Sequence, residues 1–131
     1  LYDTLTAEEN LLFFARLSGV PAPARRVREV LTLLDGLPYA GRRVGGFSKG
    51  MRQRIGLAQA ILHQPKVLFL DEPTSGLDPM GIRMLRGLIA RLNREFGMTI
   101  FMNTHLIGEI AKTCTSIAVL GHGRLVFHDR I

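Results

Sequence analysis

The run Val67-Leu68-Phe69-Leu70, followed at once by Asp71-Glu72-Pro73, limits the possible folds of this chain more than any other stretch. Four consecutive large apolar residues predict a strand buried on both faces, as at the centre of a parallel sheet. Pro73 carries no backbone donor and stops the strand. Asp71 and Glu72 then stand at the strand's carboxyl end, where open α/β sheets place their ligands. Asp78-Pro79 reads as an N-cap followed by the first residue of a helix. An acidic pair also closes many ordinary strands, so the remainder of the chain has to decide between a ligand site and a strand end.

The 131 residues are enough for one core and too few for two ordinary domains. No apolar run reaches the length needed to span a bilayer. Leu1-Tyr2-Asp3-Thr4 leads directly into a helix signal, without the pattern of a signal peptide and without an initiating Met. The single Cys114 excludes an internal disulfide, fits a reducing compartment, and reads as a small buried hydrophobe on a helix face. The net charge of +6 is uneven: residues 1–66 hold ten Arg and Lys against five Asp and Glu, residues 67–131 seven against six. Such an excess suits phosphate ligands, nucleic acid or an anionic membrane surface. No basic run interleaved with aromatics occurs, which disfavours a dedicated nucleic-acid surface.

In chain order, Thr6-Ala7-Glu8-Glu9 is a capping box that opens a helix rich in Leu and Phe, ended by Gly19. A second helix is expected from Arg25 to Leu34, with Val27, Val30, Leu31 and Leu34 on one face and Arg25, Arg26 and Arg28 solvated. Gly36, Pro38 and Gly41 break the chain. Ser48 fits an N-cap, and Met51, Ile55, Ala58 and Leu62 form one face of the helix that follows, stopped before Pro65. After Pro79 a helix buries Ile82, Leu85, Leu88, Ile89, Leu92 and Phe96, with Gly97 past its end. Thr99–Met102 is a second short strand with Asn103-Thr104-His105 at its carboxyl end. Ile107, Ile110, Ala111 and Cys114 give one more helix face. Ser116–Leu120 and Arg124–His128 then flank Gly121-His122-Gly123 as a hairpin.

The Gly-rich segment Gly41–Gly50 invites a test as a Walker A loop, whose backbone N–H groups and Lys hold phosphates. Gly41 and Gly46 have the right separation, but Phe47 stands where Lys is required; Gly45 and Gly50 fail in the same way at Met51. This is not a P-loop. Asp71-Glu72 does have a Walker B arrangement, in which an aspartate helps hold Mg²⁺ beside phosphates. His105, leaving a neighbouring strand, could hydrogen-bond such a phosphate. His105 and Glu109 have i, i+4 spacing, but no second His completes a zinc motif.

Together these stretches resemble the C-terminal two-thirds of an ATP-binding cassette (ABC) nucleotide-binding domain, across essentially the whole chain. Phe47-Ser48-Lys49-Gly50-Met51 lies where that family has its L-S-G-G-Q signature. Val67 to Pro73 matches the Walker B, Ser75-Gly76-Leu77-Asp78 the D-loop, and Asn103-Thr104-His105 the switch-histidine segment. The motifs also follow family order and spacing, which makes the set far more specific than any one member. The resemblance implies an α/β fold: part of a P-loop NTPase-like core, mainly parallel sheet with flanking helices, plus an α-helical signature subdomain. It divides the chain at about residue 62, with the Walker A, the Q-loop and the first core strands expected before residue 1.

The resemblance also implies roles. Asp71 supports Mg²⁺, Glu72 polarises the attacking water and His105 senses the γ-phosphate. Ser48, Lys49, Gly50 and Met51 face the ATP of a second, head-to-tail nucleotide-binding subunit, and Asp78 lies at that dimer interface. An integral membrane permease is the other expected partner, no nucleic acid is expected, and the expected location is the cytoplasmic face of the cell membrane. Lys49 and Met51 depart from the signature's glycine and glutamine. Such a form suggests an exporter, with Lys49 either adding charge near phosphate or solvated. Two other uses stay open: a non-transport cassette acting on ribosomes or DNA, and a non-catalytic partner half supplying its signature in trans.

Overall fold

The computed structural model describes residues 1–131 in backbone, and every side chain except those of Ile107, Glu109 and Ile110. The expected apolar face at Ile107 and Ile110, and the His105–Glu109 spacing, lie outside the described side chains.

Residues 1–62 form a three-helix unit. Helix α1 (Ala7–Leu17) opens with the capping box read from sequence: Thr6 Oγ1 accepts from Glu9 N–H, and the Glu9 carboxylate accepts from Thr6 N–H. Helix α2 (Pro23–Leu33) starts two residues earlier than expected, because Pro23 is preorganised for a first helical turn. Val27, Val30, Leu31 and Leu34 are all buried, as their spacing requires. Two 3-10 turns, Leu37–Tyr39 and Val44–Gly46, follow at the Gly and Pro breaks. Helix α3 (Lys49–Ile61) has Ser48 as N-cap, as read from sequence. It buries Leu57 and Ile61 as well as the expected Ile55, Ala58 and Leu62, and no residue from Gly50 to Leu62 is exposed. A helix apolar on one face only would be half-wet; α3 is covered on several sides and is the central element of this unit.

Two polar groups fasten the unit, and neither was evident in the sequence. Asn10 is fully buried; its Oδ1 accepts from Tyr2 N–H at 2.7 Å and its Nδ2 donates to the carbonyls of Tyr2 and Thr6 at 2.9 Å. Arg26, expected on a solvated face, instead turns inward with its side chain only 13% exposed. Its guanidinium donates to the carbonyls of Leu62 and Ile61, each at 2.9 Å, and so ties α2 to the C-terminal end of α3. Arg25 remains exposed beside Glu29, as expected.

The second half is a β-α-β unit and a hairpin. Strand β1 (Val67–Asp71) pairs in parallel with β2 (Thr99–Asn103), and helix α4 (Pro79–Phe96) makes the crossover. Asp78 caps α4 through Gly81 N–H at 2.8 Å. A Schellman-type end closes it: Gly97 adopts φ 63, and the N–H groups of Gly97 and Met98 reach Asn93 and Leu92 carbonyls. Leu85, Ile89 and Leu92 of α4 are buried, but Phe96, expected to join them, is exposed. Helix α5 (Ile107–Thr113) ends one residue short of Cys114, which is half-buried beyond the helix rather than on its face. Strands β3 (Ser116–Gly121) and β4 (Arg124–Arg130) pair antiparallel about His122-Gly123, both at positive φ as a type I′ turn demands.

The expectation of a strand buried on both faces needs correction. Leu68, Leu70, Ile100 and Met102 pack on the core, whereas Phe69 and Phe101 are 75% and 58% exposed. The pairing register sets Phe69 against Phe101, and their rings stack at 5.3 Å on the outer face. The run is apolar on both faces, but the described residues pack against one of them only.

Candidate functional site

The site is built where β1 and β2 end side by side. Parallel pairing sets Asp71 opposite Asn103, and the Asn103 side-chain amide donates to Asp71 Oδ1 at 2.7 Å. One residue on, Glu72 adopts φ 44, a left-handed conformation that non-Gly residues take at a cost of about 1–3 kcal/mol. Its N–H donates to the Asn103 carbonyl at 2.9 Å, and its carboxylate Oε1 meets His105 Nδ1 at 2.9 Å. Glu72 Oε2 is buried and has no hydrogen-bond partner among the described residues. His105 is 73% exposed, so the pair is open on the histidine's side. Thr104 holds the turn after β2 by accepting from Leu106 N–H at 3.1 Å. The acidic pair and the switch-segment histidine, distant in sequence, thus form one cluster.

From this edge the chain returns to the signature. Buried Pro73 and Thr74 lead into a tight turn in which Ser75 N–H reaches Glu72 O and Leu77 N–H reaches Thr74 O. Gly76 lies at φ 68, and a Cβ there would overlap Lys49 Nζ and come within 3.0 Å of Lys49 Cδ and Cε. Lys49 therefore lies over Gly76 of its own chain while remaining exposed, in keeping with the solvated alternative. Leu77 lies against Gly50, where a Cβ would sit 3.5 Å from Leu77 Cδ2. Ser48 Oγ accepts from Met51 N–H at 3.2 Å, while Ser48 itself stays exposed at the mouth of α3. Tyr39 packs edge-on against Phe47 at 5.4 Å and braces the residue before that cap.

Asp78 occupies its expected place, with its carboxylate used as the cap of α4. The Gly-rich segment before the signature spends its N–H groups internally. Gly45 donates to Asp3 O, Gly46 to Arg43 O and Phe47 to Val44 O, so no N–H cradle forms there. No cluster of three His, Cys, Asp or Glu able to hold a metal occurs among the described residues. The strand-end donors are oxygens, which suits a hard cation that keeps waters and phosphate oxygens as its other ligands. Asn103 was read only as part of a motif; its link to Asp71 and Glu72 required the strand register.

Comparison with known proteins agrees with this geometry. The family described as ABC transporter matches residues 1–75. An uncharacterized ABC transporter ATP-binding protein, YhcH of Bacillus subtilis, is 45% identical over 127 residues, covering 96% of this chain and 41% of its own length. The bacitracin transport ATP-binding protein BcrA of Bacillus licheniformis is 43% identical over 95% of this chain and 40% of its own. Among solved structures, cbiO1 from Clostridium perfringens, part of the ABC transporter complex cbiONQ, superposes with a TM-score of 0.89 at 29% identity, covering 97% of this chain and 51% of that one. The ATP-binding cassette MJ1267 shares the fold, with a TM-score of 0.86 at 19% identity over 98% of this chain and 56% of its own. The chain spans about four-tenths of the length of these curated relatives. With the profile matched, the fold shared and the strand-end residues assembled, this chain belongs to the ABC transporter family, among its ATP-binding proteins.

Proposed function

We propose that this chain is part of the ATP-hydrolysing subunit of a membrane transporter, working with a second nucleotide-binding subunit and an integral membrane permease. The observation that carries the reading is the strand-end cluster, in which Asp71 and Glu72 lie within hydrogen-bond reach of Asn103 and His105. Glu72 is the base that orients and deprotonates the attacking water, with Oε1 held by His105 and the buried Oε2 left without a hydrogen-bond partner among the described residues. His105 holds Glu72 in place and meets the terminal phosphate. Asp71 would hold Mg²⁺ with water and phosphate oxygens, and the metal would supply charge neutralisation at the transferring phosphoryl group. Ser48, Lys49, Gly50 and Met51 face nucleotide bound by the partner subunit, where the N-terminus of α3 favours an anion. Asp78 lies at the interface between the two.

In this reading residues 1–62 form the helical subdomain with its signature helix, and residues 63–131 the carboxyl-terminal part of the ATPase core. The phosphate-holding loop comes from residues outside this chain, since no Gly-Lys step occurs in it. The Ser-Lys-Gly-Met form of the signature favours export. The working place is the cytoplasmic face of the membrane, reached through the permease; no helix among the described residues is long and apolar enough to cross a bilayer.

The test is made on the protein expressed from its complete gene. Magnesium-dependent ATP turnover that Glu72→Gln removes, and co-purification with an integral membrane subunit, support the reading. Salt-sensitive nucleic-acid binding with no membrane partner overturns it in favour of a ribosome- or DNA-directed cassette. Ser48→Arg should leave nucleotide binding intact yet abolish ATP-driven dimerisation, because a bulky cation replaces the capping hydroxyl at the docking point. Light scattering that shows unchanged dimerisation removes the signature from the proposed interface.

A further inference from the structure

We propose that Asn103 is a positioning residue that orients both carboxylates of the strand-end cluster, an inference that rests on the ATPase reading above. Two bonds from one residue carry it. The Asn103 side chain donates to Asp71 Oδ1 at 2.7 Å, and its backbone carbonyl accepts from Glu72 N–H at 2.9 Å. Asp71 and Asn103 are register partners, so the side-chain bond spans two adjacent strand ends without reaching across the sheet.

Each bond has a separate consequence. The carbonyl bond continues the parallel ladder one residue past β1 and secures the N–H of Glu72, whose φ of 44 is costly unless its surroundings fix it. That left-handed step turns the Glu72 carboxylate to His105. The side-chain bond fixes the Asp71 carboxylate through one oxygen and leaves the other for a cation. The donor is a neutral amide. A Lys or Arg at this place would orient Asp71 equally well, but its charge would compete with the divalent cation for the same carboxylate. Partners of this kind around metal-binding groups typically change metal affinity by about 10–100-fold when removed.

Because one bond uses the side chain and the other the backbone, substitution separates them. In the protein expressed from its complete gene, Asn103→Ala keeps the carbonyl that holds Glu72 and loses the donor to Asp71. Nucleotide affinity measured without magnesium should be unchanged, whereas the gain in affinity on adding Mg²⁺ should shrink about tenfold. Turnover at saturating Mg²⁺ should recover most of its original value. Asn103→Asp should show the larger loss, since two carboxylates then face one another. Asn103→Ser retains a shorter donor, should fall between, and carries the same comparison if the alanine variant does not fold. Equal losses with and without magnesium would indicate a general structural role and overturn the proposal. So would an unchanged magnesium response in Asn103→Ala beside normal binding in the unsubstituted protein. If the unsubstituted protein shows no magnesium-linked nucleotide binding, the ATPase reading falls, and the proposal with it.

Discussion

Residues 1–62 and residues 63–131 solve the same folding problem to different degrees. Thirteen of the eighteen buried apolar residues among those described lie in the first region, and its central helix has no exposed position after Lys49. Its inward-facing Asn10 and Arg26 have their side chains hydrogen-bonded to backbone carbonyls. In the second region, Phe69 and Phe101 stack on an outer face, and Leu120, Leu125, Val126 and Phe127 are exposed along the hairpin. Neutral buried oxygens without partners occur in both, at Gln53 Oε1 and Thr74 Oγ1. A buried carboxylate oxygen without one, among the described residues, occurs only in the second, at Glu72. Leaving such a group unpaired costs on the order of 1–3 kcal/mol or more. The first region uses Asn10 and Arg26 to finish its packing; the second leaves a carboxylate oxygen unpaired at its strand ends.

The largest effect expected lies within that site and sharpens the contrast. Asp71 and Glu72 are adjacent but should fail differently in the protein expressed from its complete gene. Glu72→Gln keeps size and hydrogen bonding yet cannot accept a proton, so turnover should fall by about 10²–10⁴ while ATP stays bound and the closed dimer accumulates. Asp71→Asn removes charge from the magnesium environment, so nucleotide affinity in the presence of magnesium should drop. Affinity, turnover and dimer fraction measured on both variants decide it. Near-normal turnover in Glu72→Gln, or affinity as weak as that of Asp71→Asn, would remove Glu72 from the role of base.

Next in size is a pair of core substitutions that could break the comparison. In the 131-residue chain, Ile55→Ala should cost about 2–5 kcal/mol, as expected for a fully buried aliphatic side chain. Phe69→Ala should cost well under that, because its ring is 75% exposed. Urea titrations of both variants give the comparison. If Phe69→Ala is as costly as Ile55→Ala in the 131-residue chain, the outer face is not bare. If the costs match only in the protein expressed from its complete gene, other residues cover that face there.

What could be read in advance follows the same division. The capping box at Thr6, the caps at Ser48 and Asp78, the Gly97 stop and the His122-Gly123 turn depend on neighbours in sequence, and all formed as read. Arg26 could not be placed in this way: its acceptors lie more than thirty residues away, at Ile61 and Leu62. Asn10 looked like an unremarkable polar residue near a helix start, yet it closes the turn from Tyr2 to Thr6. At the site, motif spacing marked Asp71, Glu72 and His105, but the Asn103 bonds depend on strand register, which sequence alone does not fix. The exposed outer face was missed for a plainer reason: an apolar run shows what a strand can bury, not what is present to cover it.

A smaller effect tests whether Arg26 is a structural cap in the closed region. Arg26→Met keeps much of the stem but loses both donors at the end of α3, and should destabilise the chain by about 2 kcal/mol. Arg25→Met, removing an exposed i, i+4 partner of Glu29, should cost less than about 0.5 kcal/mol. Thermal midpoints of the two variants make the comparison. Equal shifts would return Arg26 to the solvated face first expected of it. Ser48→Ala should follow at about 1 kcal/mol, the usual loss of an N-cap hydroxyl, and a shift no larger than that of Arg25→Met would deny the cap.

The smallest effect concerns how closed the second region is at Cys114, between α5 and β3. The thiol is free, and partial burial raises its pKa above the ordinary value, because the thiolate loses hydration there. Alkylation of the folded chain should therefore rise with pH later than alkylation of the same chain in denaturant, whose midpoint lies near about 8.5. The sign for stability follows from the same shift. A group whose folded pKa is raised binds its proton more tightly in the folded state, so its contribution is complete below the unfolded pKa. It declines as pH rises through that value toward the folded one. Cys114→Ser should flatten this decline in urea midpoints measured between neutral and alkaline pH. Alkylation profiles that coincide in folded and denatured chains would mean that Cys114 is solvated, and that the open character of the second region extends from its strand faces to the joint between α5 and β3.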